Sequence, residues 1–197
     1  FKNLRKTAMQ RIETLAPESG KSTNKKGKRT DPASQSAQIA SKDFKGDKSK
    51  TKTQVDAEKT TDKERDEALR DMLAVEYGDI PEEQILAIIE EIKNYGVVIG
   101  EKSWPGNQFY TIERPKDVMT VVLNRSHPFQ DDLYKKICKG QDTHEALAMN
   151  LFLLAAARAE DELYDDRSQQ VLEEFREKWG AWICLLYTSP SPRDNTG

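Results

Sequence analysis

Val97-Val98-Ile99, Phe109-Tyr110-Thr111-Ile112 and Val118-Met119-Thr120-Val121-Val122-Leu123 are the three runs that decide the fold class. Each is short and rich in β-branched or aromatic residues, which suit a pleated, half-buried surface. Trp104-Pro105-Gly106-Asn107 and Arg114-Pro115-Lys116-Asp117 separate them, and Pro and Gly there signal turns. Short turns join neighbouring strands most simply in the antiparallel sense, so the pattern predicts a three-stranded antiparallel meander. The third run is the most continuous and is the expected central strand.

On either side of these strands the apolar period changes to that of a helix. Leu69, Met72, Leu73 and Glu76 fit a short helix that stops before Gly78. Asp79-Ile80-Pro81-Glu82-Glu83 starts the next one, where Ile85, Ile88, Ile89 and Ile92 form one stripe closed by Gly96. After the third strand, Pro128 opens a helix with Leu133, Tyr134 and Ile137 on its apolar face. Asp142-Thr143-His144-Glu145 reads as the cap of a long helix to about Tyr164, apolar nearly all round and therefore buried. A last helix from about Asp166 carries Val171, Leu172, Phe175, Trp179 and Trp182 as its expected packing side. The fold class is α+β: a small meander packed against several helices.

Composition concentrates the core in part of the chain. Hydrophobic residues make up 36% and charged residues 33% of the 197, below and above the usual globular shares. Residues 1–16 carry Leu4, Ala8, Ile12 and Leu15 on one side of a helical wheel with basic residues elsewhere, and read as the end of a truncated helix. Residues 17–61 are dominated by Lys, Ser, Thr, Gln and Asp, with Ile39 and Phe44 the exceptions, and are expected to form a disordered basic linker. Residues 62–183 form the ordered α+β module. Residues 184–197, Cys184-Leu185-Leu186-Tyr187-Thr188-Ser189-Pro190-Ser191-Pro192-Arg193-Asp194-Asn195-Thr196-Gly197, read as a translated transposase-type sequencing adapter, an artefact of assembled metagenomic reads.

Charge and cysteine usage narrow the function classes. The net charge of -3 implies no overall preference for nucleic acid. Its distribution is uneven, with ten Lys/Arg against four Asp/Glu between Glu18 and Thr53. Lys25-Lys26-Gly27-Lys28-Arg29 could contact phosphates, but no aromatic residues interleave to stack bases, so a solvated linker is the simpler reading. Two cysteines, Cys138 and Cys184, make no disulfide framework, which points to a cytoplasmic setting. The apolar run from Ala146 to Ala157 is shorter than the ~20 residues a membrane span needs.

Motifs for chemistry are missing from the pattern. His127, Cys138 and His144 match no zinc-ligand spacing. Ser126 sits in Asn-Arg-Ser-His-Pro rather than a nucleophile elbow, and neither phosphate-binding glycine motif occurs. Glu160, Asp161 and Glu162 read as a solvated face, with Arg158 or Arg167 pairing to them for ~0.3 kcal/mol each. No catalytic, cofactor-binding or metal residue is assigned.

One stretch is more specific than its composition. Phe109-Tyr110-Thr111-Ile112-Glu113, then Val121 through Phe129 with Asn124, His127, Pro128 and Phe129 in a His-Pro-Phe turn, then Leu133-Tyr134, resembles a segment near the C-terminus of bacterial and phage GHKL ATP-binding proteins. Leu151-Phe152-Leu153-Leu154-Ala155-Ala156-Ala157-Arg158-Ala159-Glu160 and Glu173-Glu174-Phe175-Arg176-Glu177-Lys178-Trp179 follow in the same order. The GHKL nucleotide site itself needs an Asp-x-Gly-x-Gly turn, which is not in this sequence. The resemblance therefore implies an ATP- and magnesium-binding domain upstream of Phe1. It also implies that these residues couple that domain to dimerisation or to a protein client. Two alternatives stay open: a nucleic-acid-associated protein using the basic linker, and a stand-alone helical interaction module.

Overall fold

The computed structural model describes residues 31–78, 81–139 and 143–188. The expected helix within residues 1–16 lies outside these residues, as do the Lys25–Arg29 cluster and the Asp142 cap.

Strong local signals formed the elements they predict. Helix α3 (Asp62–Tyr77) starts in a capping box between Thr61 and Glu64 and ends at Gly78. Helix α4 (Glu82–Tyr95) buries Ile88, Ile89 and Ile92 and ends at Gly96 in the left-handed conformation. Strands β1 (Val97–Lys102), β2 (Tyr110–Glu113) and β3 (Met119–Asn124) follow. A π-helical turn (Gln130–Tyr134) leads into the short helix α5 (Lys135–Lys139), then α6 (Thr143–Glu162) and α7 (Asp166–Thr188).

The α+β class holds, but the sheet is mixed rather than an antiparallel meander. Its order is β1-β3-β2. β2 pairs antiparallel with β3, with Ile112 opposite Val121, whereas β1 pairs parallel, with Ile99 also opposite Val121. The segment from Ser103 to Phe109 is long enough to carry the chain over the end of β3 to its far side, since two strand spacings are only about 10 Å. The gain is that β3, all six of whose residues are buried, is paired on both edges.

Two apolar layers sandwich the sheet. On one face Val98 and Val118 pack with Leu69, Met72, Leu73 and the α4 isoleucines. Gly100 admits this layer closely, because a Cβ there would overlap the Met72 side chain. On the other face Ile99, Val121, Leu123 and Tyr110 pack with Leu153, Leu154 and Ala157 of α6.

Among the described residues, 32–57 are not the disordered linker expected over residues 17–61. Helix α1 (Pro32–Gly46) and helix α2 (Lys52–Ala57) belong to the body. Asp31 caps α1 by accepting from the Ser34 amide at 3.0 Å, with Pro32 in the first turn. Its buried side is Ser34, Ser36, Ala37, Ile39, Ala40 and Ser41. These small residues bring the helix close to its neighbours, and the Ser36 hydroxyl is satisfied by the Pro32 carbonyl at 2.7 Å. Burial there depends on close approach rather than on bulky side chains, which is why composition concealed it.

Candidate functional site: the His-Pro-Phe turn and its apolar groove

The turn after β3 is held by side chains that complete its backbone hydrogen bonding. Asn124 is fully buried. Its Oδ1 accepts from the amides of Ser126 (3.0 Å) and Trp104 (3.3 Å), and its Nδ2 donates to the Gln108 carbonyl at 2.9 Å. One amide side chain thus fastens the β1–β2 connection to the turn. Arg125 donates to Glu101 at 2.7 Å and to the Val75 carbonyl at 3.1 Å, and Gln130 donates to the other Glu101 oxygen at 2.7 Å. The turn is thereby tied to β1 and α3 as well.

His127 is buried, and its partners fix its tautomer. Nδ1 accepts from the Phe129 amide at 3.2 Å, so Nε2 carries the proton and donates to the Gly180 carbonyl of α7 at 3.1 Å. Burial lowers its pKa, against smaller opposing contributions from the Gly180 and Asn107 carbonyls and the Glu177 charge. The imidazole is a neutral clamp between turn and final helix. Pro128 lies exposed at the start of the helical segment, where a missing amide hydrogen leaves nothing unsatisfied.

Phe129 belongs to an aromatic cluster that also touches the His127 ring. The Phe129 ring lies 5.2 Å from Phe109, which meets Trp179 edge-on at 5.0 Å. These rings form the floor of an apolar groove of about 690 Å³. Leu133 walls one side, and Phe152 and Leu153 of α6 wall another. Phe152 is 60% exposed, so a large apolar side chain stands at the rim. Glu145 is the charged residue in the lining.

Two buried ionic clusters lie at the C-terminal end of α6. Glu160 and Asp161, expected on a solvated face, are 7% and 1% exposed. Glu160 accepts from the Tyr110 hydroxyl and from Arg176 of α7. Burial and the Glu160 carboxylate push the Tyr110 phenol far above its ordinary pKa. Asp161 accepts from the Thr53 amide at 3.0 Å and from Arg114 at 2.7 Å, joining α2 and the β2–β3 turn to α6. Arg158 reaches Glu162 at 3.4 Å and Asp47 at 2.8 Å. Helical spacing showed these carboxylates at a helix end, but not the cations brought to them from distant sequence.

The last helix is rotated relative to expectation. Arg176, Gly180 and Ile183 are buried, and Trp179 is half-buried, while Val171, Phe175 and Trp182 are 59%, 53% and 62% exposed. Gly180 explains the rotation: a Cβ there would overlap the Asn107 carbonyl oxygen and lie 3.2 Å from Gln108 Cα. A glycine inside a helical pattern was the available signal for this close approach. The remaining candidates do not converge. Among the described residues no group of three or more His, Cys, Asp or Glu is placed to hold a metal ion. His144 is half-buried in the first turn of α6. Cys138 lies on α5, where burial raises its pKa and keeps it a thiol.

The chain matches no known protein-family model, no curated protein and no solved structure.

Proposed function

We propose that this chain is the non-catalytic C-terminal module of a larger GHKL-type ATP-binding protein, coupling an upstream ATP-driven domain to dimerisation or to a protein client. The observation that supports this reading is the groove. The three stretches that carry the resemblance are far apart in sequence, yet each contributes to its lining: Phe129 from the turn, Phe152 and Leu153 from the long helix, and Trp179 from the last. The Glu160–Arg176 ion pair joins the last two of these stretches, and the His127–Gly180 hydrogen bond ties the turn to the residue that follows the last. Such cross-links support the reading, because a domain that relays an open or closed state requires elements that are fastened to one another.

On this reading ATP and magnesium belong to the upstream domain, and the protein works in the cytoplasm. No helix among the described residues is long and apolar enough to cross a membrane. Two measurements test the proposal. The coding DNA upstream of Phe1 should encode a GHKL domain with its magnesium-binding Asn and adenine-contacting Asp-x-Gly-x-Gly turn. The 197-residue chain alone should show no ATP turnover. An unrelated upstream domain, or hydrolysis by the chain itself, overturns it.

A further inference from the structure

Helix α7 leaves a line of side chains uncovered on its outward face. Val171, Phe175, Lys178 and Trp182 recur at spacings of four, three and four, which places them along one side of a helix. Val171, Phe175 and Trp182 are each more than half exposed, and Lys178 and Glu174, one turn before it, are exposed as well. The line continues into the groove, because the Phe175 ring lies 5.7 Å from Trp179 in its floor, with Phe152 exposed at the rim. Whole aromatic side chains present about 150–250 Å² each, so Val171, Phe175, Trp182 and Phe152 together leave roughly 400 Å² open. Apolar patches of that size mark interaction sites, and it is about half of the ~800 Å² that each partner buries in a standard interface.

The order of residues along this line fits a second copy of the same helix. With two copies antiparallel about a two-fold axis midway between Arg176 and Glu177, each Trp182 meets the partner's Val171, a large side chain against a small one. Phe175 then meets the partner's Lys178, which sets an ammonium over an aromatic face. Glu174, one position away, reaches that same ammonium, so one carboxylate and one cation pair on each side of the axis. A parallel pairing in register would instead set Glu174 beside Glu174 and Lys178 beside Lys178, and like charges oppose it. From Val171 to Trp182 the contact line runs about 16 Å, at 1.5 Å per residue.

We propose that two copies of this chain pair through α7, antiparallel about a two-fold axis, with Val171, Phe175 and Trp182 as the buried stripe and Glu174 facing the partner's Lys178. The pairing rests on the dimerisation half of the proposed function for its purpose, but the two fail separately: the upstream DNA decides the family, and the masses below decide the pairing.

Sedimentation equilibrium of the 197-residue chain over the micromolar range tests it. The mean mass is expected to rise with concentration from that of one chain to that of two. Trp182→Asp should weaken the pairing at least about tenfold. Glu174→Lys and Lys178→Glu should each weaken it about threefold or more, and the double reversal, which restores opposite charges across the axis, should recover it. Circular dichroism and Tm of every variant report whether the body is still folded. If Trp182→Asp unfolds it, the charge-reversal set carries the decision. A single-chain mass at every concentration overturns the proposal, as does pairing that survives Trp182→Asp in a folded body. A double reversal as weak as the single ones, or assembly beyond two copies, overturns it as well. Leu186→Ser should leave the pairing in place, and its loss there would move the contact past residue 183 and overturn the proposal too.

Discussion

Replacing Gly180 with Ala is the most discriminating perturbation, because local and tertiary physics give it opposite signs. In an exposed helix interior the change should stabilise by up to about 1 kcal/mol, since glycine gives up more backbone freedom than alanine on folding. Here the new methyl would overlap the Asn107 carbonyl oxygen, with the carbonyl carbon 2.7 Å away, and backbone cannot swing aside as a side-chain tip can. Overpacking of this kind costs about 1–3 kcal/mol. Moving α7 outward to relieve it would lengthen the bond from His127 Nε2 to the Gly180 carbonyl, now 3.1 Å, and strand a buried donor at about 1–3 kcal/mol. It would also part Trp179 from Phe109.

The net expectation is a loss near 3 kcal/mol, or about 6–12 °C in Tm for a chain of this size. Thermal and urea unfolding followed by tryptophan fluorescence measure it. Gly46→Ala is the internal reference: nothing lies within 4 Å of a Cβ built there, so that variant should be neutral or slightly stabilised. A Gly180→Ala protein as stable as the parent would mean that α7 does not touch the Asn107 backbone, and the account of its rotation would fall with it.

Two further outcomes follow from the buried polar groups. Arg176→Met strands the Glu160 carboxylate in the core and should cost about 3–5 kcal/mol by urea denaturation, whereas the double change with Glu160→Gln should recover most of it; equal losses in single and double variants would refute the pairing. For His127 the folded-state pKa lies below its ordinary value, so the unfolded chain takes up the proton first. The stability contributed by its neutral clamp is complete above about pH 6.5 and is lost as pH falls below that, because protonated Nδ1 can no longer accept from the Phe129 amide. Tm should therefore decline from pH 7 to 5, and His127→Gln should flatten that decline. The lowered carboxylates, Asp47, Asp56, Asp62, Glu64 and Asp165, act in a separate, more acidic window. A histidine variant with the parental slope would remove His127 from the account.

Several features of the candidate site were legible in the residues. The His-Pro-Phe turn was placed at the end of the central strand, and its proline at the start of the helical segment. What could not be read was the groove, because Phe129, Phe152 and Trp179 meet only after α6 and α7 fold back across the sheet. The same limit hid the partners of Glu160 and Asp161, since Arg176 and Arg114 reach them from other elements.

The sequence by itself determined where elements exist wherever the signal is local. Capping residues and the isoleucine stripe set α3 and α4, and β-branched runs set the three strands with the third at the centre, because these patterns act over a few residues. Only the tertiary structure decided that β1 lies parallel to β3, that a Ser/Ala-rich helix is buried, and that α7 turns Val171, Phe175 and Trp182 outward. Each of those outcomes depends on how closely two distant backbones approach. That distance is set by small residues such as Gly180, Ala37 and Ser36 meeting a particular partner, and a one-dimensional pattern does not contain the partner.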